Sequence, residues 1–183
     1  MSPGAPYIGV IGASEAGDPE LELAREVGAG LAGAGAVLVC GGLGGVMAAA
    51  CSGAKRHGGL TVGVLPGCDR SEANTDVDVA LPTGLGELRN GLVVRFSDAL
   101  IAVGGGWGTL SEIAFAMRTR RPVIALPAWH PTLEDVARRE RSAAQDATGE
   151  LRLERSVREP VLRHAGDARE AVQVALSLAR DSS

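Results

Sequence analysis

Short apolar runs that end in glycine recur along this chain, and a longer helical pattern follows each one. Tyr7 to Gly12 reads YIGVIG and opens onto Gly12-Ala13-Ser14. Ala36 to Cys40 reads AVLVC and opens onto Gly41-Gly42-Leu43-Gly44-Gly45. Asp98 to Val103 reads DALIAV and opens onto Gly104-Gly105-Gly106-Trp107-Gly108-Thr109. Near-continuous apolar strands alternating with helices predict a parallel sheet covered on both faces. Right-handed crossovers make it an α/β, doubly wound, Rossmann-like three-layer sandwich. The 183 residues suit one domain spanning 1–183.

The remaining elements fill in around these runs. A helix is predicted from Asp18 as N-cap, with Pro19 at its first position, to Gly33. Further helices are expected over Gly44–His57, Glu87–Phe96 and Trp107–Arg118. Strands are expected at Leu60–Leu65, Val77–Leu81, Pro122–Leu126 and Pro160–Arg163. The charged stretch 131–158 begins with an exposed helical pattern, and Asp167 caps a closing helix to Ala179.

Composition narrows the partners. Net charge is −4 and aromatics make up 3% of the residues, with no basic stripe. Nucleic-acid binding by phosphate neutralisation or base stacking is therefore not expected. A small anion is a different case, because helix N-termini hold phosphate without many cationic side chains. No apolar stretch reaches membrane length, and no signal peptide is seen, so a cytoplasmic protein is expected. Cys40, Cys51 and Cys68 lack ligand or redox spacing and read as small buried hydrophobes. His57, His130 and His164 lie far apart, so no metal site is expected.

In a parallel sheet, ligands sit beyond the carboxyl ends of the strands. The three glycine turns should therefore share one edge. The third turn has the strongest chemistry. Glycine lets the backbone approach a ligand closely. The helix that follows offers unpaired N–H groups and a positive dipole end, and Thr109 adds a hydroxyl. Two such turns on one edge point to a phosphate site. Gly12, Ser14, Gly41, Gly42, Gly44, Gly45, Gly105, Gly106, Gly108 and Thr109 are its candidate binding residues. Neither the dinucleotide fingerprint GxGxxG nor a P-loop GxxxxGK[ST] is present, which argues against a nicotinamide dehydrogenase and an NTPase. Glu112 follows Thr109 by three residues, where it either caps the helix or points into the cleft. Arg89 precedes the strand Asp98–Val103 and is either a surface arginine or a second cleft residue.

These motifs resemble the LOG-like superfamily, whose members are often mislabelled as lysine decarboxylases. Its hallmark PGGxGTxxE is matched by Gly104-Gly105-Gly106-Trp107-Gly108-Thr109-Leu110-Ser111-Glu112, with Gly104 in place of proline. The upstream Arg-Lys pair reads Arg89-Asn90. Gly41 to Met47 is similar to the family's GGxxGLM turn. The resemblance covers roughly residues 7–126. The detail CGGLGGVM and AVGGGWGTLSE is closer to the branch that holds molybdenum cofactor carriers. Decarboxylation by a pyridoxal Schiff base is excluded on chemistry. The only lysine, Lys55, lies at the far end of its helix from the glycine turn.

The resemblance implies two functions. The first is carriage or sensing of a small phosphorylated ligand, of nucleotide or pterin type, with the molybdenum cofactor as a possible bound ligand and no required cofactor. The second is hydrolysis of the N-glycosidic bond of a nucleoside 5′-monophosphate. In that reaction Glu112 would stabilise the oxocarbenium-like transition state and Arg89 would position the substrate. Lys-to-Asn at position 90 and the missing proline favour the carrier. The apolar helices over 44–57 and 86–96 also suggest a homo-oligomer.

Overall fold

The computed structural model describes residues 4–127 and 161–180. The elements run β1 (Tyr7–Gly12), α1 (Asp18–Gly33), β2 (Val37–Cys40), α2 (Val46–Arg56), β3 (Leu60–Leu65) and β4 (Val79–Pro82). They continue α3 (Asn90–Phe96), β5 (Ala99–Val103), α4 (Trp107–Arg118), β6 (Val123–Ala125), β7 (Leu162–His164) and α5 (Ala168–Arg180). The strands form a seven-stranded sheet in the order β4-β3-β2-β1-β5-β6-β7. Each pairing is parallel. This is the doubly wound α/β sandwich that the apolar runs predict.

The central strands are Val-, Ile- and Leu-rich because both of their faces are covered. All five residues of β5 and all four of β2 are buried. On one face, Ala24, Val27 and Leu31 of α1 pack with Ala50 and Cys51 of α2 and Ala171 and Ala175 of α5. On the other face, Val93 and Val94 of α3 pack with Ile113 and Ala116 of α4. The chain winds outward from β1 in one direction through β2, β3 and β4. It winds in the other through β5, β6 and β7. The reversal falls between β1 and β5, where Gly12 is registered with Val103. The first and third glycine turns therefore emerge side by side.

Some boundaries differ from expectation. Gly17, not Asp18, is the N-cap of α1. The Gly17 N–H donates to Glu20 Oε2 at 3.0 Å, so a carboxylate three residues on replaces the expected aspartate cap. β4 begins two residues late. Before Val79 the Asp78 N–H donates to the Thr61 carbonyl at 3.2 Å, but the Thr61 N–H donates to the Asp78 carboxylate instead of to a strand carbonyl. The helix expected over 87–96 is split into a tighter 3₁₀ turn, Gly86–Arg89, and α3. Asp167 does cap the closing helix, accepting from the Glu170 N–H at 2.8 Å. Residue 160 of the last predicted strand and the charged helical pattern over 131–158 lie outside the described residues. Cys40 and Cys51 are buried, but Cys68 is exposed, against expectation. Its segment is a surface connection between β3 and β4 rather than part of the core.

The apolar surface of α2 is also used differently from expectation. Val46, Met47, Ala49, Ala50 and Cys51 are buried within this one chain. Two glycines make this possible by letting α1 and α2 touch backbone to backbone. A Cβ at Gly28 would lie 2.0 Å from the Ala50 carbonyl oxygen. One at Gly53 would lie 2.1 Å from the Arg25 carbonyl oxygen. Gly28→Ala tests this packing. Alanine gains about 1 kcal/mol of helix propensity, but overpacking against a backbone atom costs roughly 1–3 kcal/mol. A lower urea midpoint is expected. A midpoint raised by the full propensity gain would show that the two helices part freely.

Candidate functional site

The four groups that matter most here come from three separate parts of the chain. Arg89 ends the 3₁₀ turn before α3, Thr109 and Glu112 lie in the first turns of α4, and Gly41 follows β2. All four line one cleft of about 470 Å³ at the carboxyl edge of the sheet. Gly12, Ser14, Gly106 and Gly108 line it too. It sits at the reversal between β1 and β5, where doubly wound sheets place their ligands.

Three polar side chains in the lining of the cleft are buried. Arg89 is 8% exposed, Glu112 7% and Thr109 3%. Arg89 Nη1 stands 4.0 Å from Glu112 Oε1. That is an ion pair without a short hydrogen bond. Among the described residues, the guanidinium makes no hydrogen bond, the Glu112 carboxyl accepts none and the Thr109 hydroxyl is unpaired. Such groups cost free energy when buried and unmatched. The first N–H groups of α4, at Trp107, Gly108 and Thr109, have no preceding helical carbonyl. No side chain caps that helix end either. Unsatisfied donors therefore converge on one space from a guanidinium, a hydroxyl and a helix N-terminus.

Burial sets the electrostatics. It raises the Glu112 carboxyl from its ordinary 4.5 to about 7, and the nearby Arg89 charge only partly offsets this. Burial also pulls Arg89 below its ordinary value, opposed by the Glu112 carboxylate. The cleft further includes Glu15 and Glu87, so three carboxylates face one guanidinium.

The glycine turn after β2 shapes the floor more than it lines it. A Cβ on Gly41 would lie 2.2 Å from Arg89 Nη1, so any side chain there would displace the guanidinium from its present position. Gly42 is buried, with Leu65 and Gly63 against it. Gly44 is exposed at the tip, and Gly45 lines a neighbouring groove with Ser14. Gly105 does not line the cleft. It packs on Thr109 and sets the entry to α4. Gly104 has φ +55°, a value that the proline ring of the LOG hallmark cannot reach.

The sequence reading missed the residue that fixes the second turn. Asn74, on the β3–β4 connection, donates through Nδ2 to the Gly42 carbonyl at 3.1 Å and the Leu43 carbonyl at 2.9 Å. Its N–H donates to Gly42 as well. The first and second turns are joined by the Val46 N–H donating to the Ala13 carbonyl at 3.0 Å. Asn90, which stands in the lysine position of the family pair, lines the cleft and reaches Ser111 Oγ at 3.5 Å. Lys55 is remote and pairs with Asp78.

Among the described residues, no three His, Cys, Asp or Glu side chains gather to hold a metal ion. Among the same residues, no helix is long and apolar enough to cross a membrane.

The fold and the cleft define a Rossmann-like protein with its site at the switch point of the sheet. The chain belongs to the SLOG cluster4 family, which matches residues 5–159. It is similar to the molybdenum cofactor binding protein of Rippkaea orientalis, at 34% identity and a TM-score of 0.82, covering 97% of this chain and 99% of that one. An uncharacterized protein of Archaeoglobus fulgidus is 47% identical over 119 residues, 65% of this chain and 78% of that protein. Cytokinin riboside 5′-monophosphate phosphoribohydrolase of Mycobacterium tuberculosis is 40% identical over 119 residues, 60% of this chain and 63% of that enzyme. The resemblance drawn from the glycine motifs is borne out.

The raised Glu112 pKa makes stability depend on pH with a fixed sign. The native state holds its proton up to about 7 and the unfolded chain only to 4.5. The contribution is full below 4.5 and is lost as pH rises through 7. Glu112→Gln mimics the protonated form at every pH. Relative to wild type, it should gain roughly 1–3 kcal/mol between pH 5 and pH 8, by urea unfolding. An unchanged difference at the two pH values would show that Glu112 is not buried as described.

Proposed function

We propose that this protein binds a small phosphorylated ligand, nucleotide-like or of pterin type, as a carrier or sensor. One observation carries the reading: three buried polar side chains, Arg89, Thr109 and Glu112, have unmet hydrogen-bonding capacity around the uncapped start of α4. The phosphate would take the N–H groups of Gly106, Gly108 and Thr109 together with the Thr109 hydroxyl. Arg89 would supply the charge-assisted bonds, which are the stronger ones. At neutral pH the Glu112 carboxyl, with its pKa near 7, is partly protonated and can donate to a ligand oxygen. The molybdenum cofactor is one candidate ligand, because a solved relative of similar length binds it. Its phosphate suits the same donors.

Phosphoribohydrolase activity is the second reading. The specific observation is again Glu112, a carboxyl able to exchange a proton near neutral pH, beside Arg89 at 4.0 Å. In that chemistry the electron pair of the base–sugar bond leaves with the base. Ionised Glu112 would stabilise the cationic sugar, water would add to the anomeric carbon, and the proton that water gives up would end on the departing base. Arg89 would anchor the phosphate. Asn90 in place of lysine and the full-length match to a binding protein favour the carrier.

Calorimetry with AMP and inorganic phosphate, beside an assay for free adenine, separates the readings. Thr109→Val should weaken phosphate binding roughly three- to tenfold, and Arg89→Ala roughly 10- to 100-fold. A carrier releases no adenine. A hydrolase does, and Glu112→Gln should abolish that release with phosphate binding kept. Failure of both anions to bind at millimolar concentration would refute the phosphate site.

A homo-oligomer belongs to the same proposal, with its surface moved from α2. The α3–α4 side exposes Leu85 (47%), Leu88 (81%), Phe96 (46%) and Phe115 (36%). Such surface is normally covered by a partner. Light scattering should give at least twice the 18.6 kDa of one chain, and Leu88→Asp should lower it. A monomeric wild-type mass at micromolar concentration refutes the assembly.

A further inference from the structure

We propose that Trp107 is a stacking platform for a planar heterocycle, so that the cleft selects heterocycle-bearing phosphomonoesters over plain sugar phosphates. This rests on the phosphate reading and adds the residue that recognises the planar group attached to the phosphate. Trp107 is 86% exposed, the highest value among the exposed large hydrophobic residues described. It also lines the cleft. An indole is one of the largest apolar surfaces a side chain offers, and leaving it in water forgoes the free energy of burying it.

Its place in the chain limits what can cover it. Trp107 is the first residue of α4 and stands between Gly106 and Gly108, whose N–H groups belong to the phosphate cradle. A phosphate seated there puts the next atoms of its ester within a few bonds of the indole. The cleft also includes Leu43, Met47 and Pro66, an apolar contribution that a phosphate has no use for. Polar Arg89, Thr109 and Glu112 and apolar Leu43, Met47 and Pro66 in one lining match a ligand with one anionic end and one flat, weakly polar end. Stacking on an aromatic side chain tolerates many ring systems, because each presents a π face. The inference therefore covers purines and pterins alike.

The test uses two phosphomonoesters that differ in the ring. Formycin 5′-monophosphate carries a planar base on a carbon–carbon glycosidic bond, so N-glycosidic hydrolysis cannot consume it. Ribose 5-phosphate lacks the base. Affinities are measured by calorimetry for wild type, Trp107→Ala and Trp107→Phe, with melting temperatures as the check on folding. Wild type should prefer formycin 5′-monophosphate. Trp107→Ala should cut that preference about fivefold or more and leave ribose 5-phosphate affinity within about twofold. Trp107→Phe should keep most of the preference. A preference that survives Trp107→Ala overturns the proposal. If that variant also has a smaller mass in light scattering, the indole belongs to a subunit contact. If wild type binds ribose 5-phosphate but gains nothing from the base, the stacking fails and the phosphate site stands. If it binds neither compound, the phosphate reading itself falls.

Discussion

The parallel pairing of β1 with β5 is the constraint on which the rest of this structure depends. Gly12 faces Val103 across that pair, and the chain leaves the two strands in different directions. No crossover helix can cover the space above their ends, because each following helix belongs to a different half of the sheet. A crevice results from topology alone. The sequence then furnishes it. The turn after β1 and the turn after β5 meet there. The turn after β2 joins them through the bond from Val46 to the Ala13 carbonyl.

The furnishing is costly. Arg89 and Glu112 are both more than nine-tenths buried, and their 4.0 Å separation gives charge attraction without a good hydrogen bond. Burying two ions is rarely repaid by such a pair alone. The rise of Glu112 to about 7 is the measure of that deficit. Around this pair, the molecule spends further order on access. Gly41 has no side chain, so the guanidinium has room. Asn74 holds the carbonyls of Gly42 and Leu43, so the turn cannot relax into the cleft. Groups kept in this condition are what the proposed ligand would satisfy.

Much of this was legible in the sequence because glycine is both the signal and the cause. A strand that ends in a glycine run must turn where side chains are excluded, and that fixed the cleft edge before any coordinates. Gly106, Gly108, Thr109 and Glu112 were readable for that reason. The second turn was read too literally. Gly42 and Gly45 mould the turn and its neighbours, whereas Gly41 makes room for Arg89. That distinction depends on a guanidinium 48 positions away in the chain. Asn74 was not legible at all. Its role is a pair of hydrogen bonds across space from a loop with no periodicity. The apolar residues of α2, unlike Leu88 beside α3, are buried inside the chain, because Gly28 and Gly53 bring α1 against them. Cys68 was assigned to the core on residue type alone, and residue type does not report that its segment is a surface connection.

The shared guanidinium links these points. Among the described residues, Arg89 is the only cation lining the cleft, and Glu112 already leans on it. A phosphate that enters must draw on the same charge. As it does, the carboxylate loses part of the attraction that keeps its pKa from rising further, and it gains a nearby negative charge. Both changes favour the protonated form. The carboxyl would then turn from a competitor for Arg89 into a donor toward the phosphate. Because its pKa already lies near 7, the change asks for little free energy at neutral pH. A carboxyl held at an ordinary carboxylate pKa would instead repel the ligand, and one held far higher would have left Arg89 without a counter-charge in the empty cleft. The burial that makes Glu112 expensive to the fold would, on the proposed phosphate reading, let one arginine serve both states.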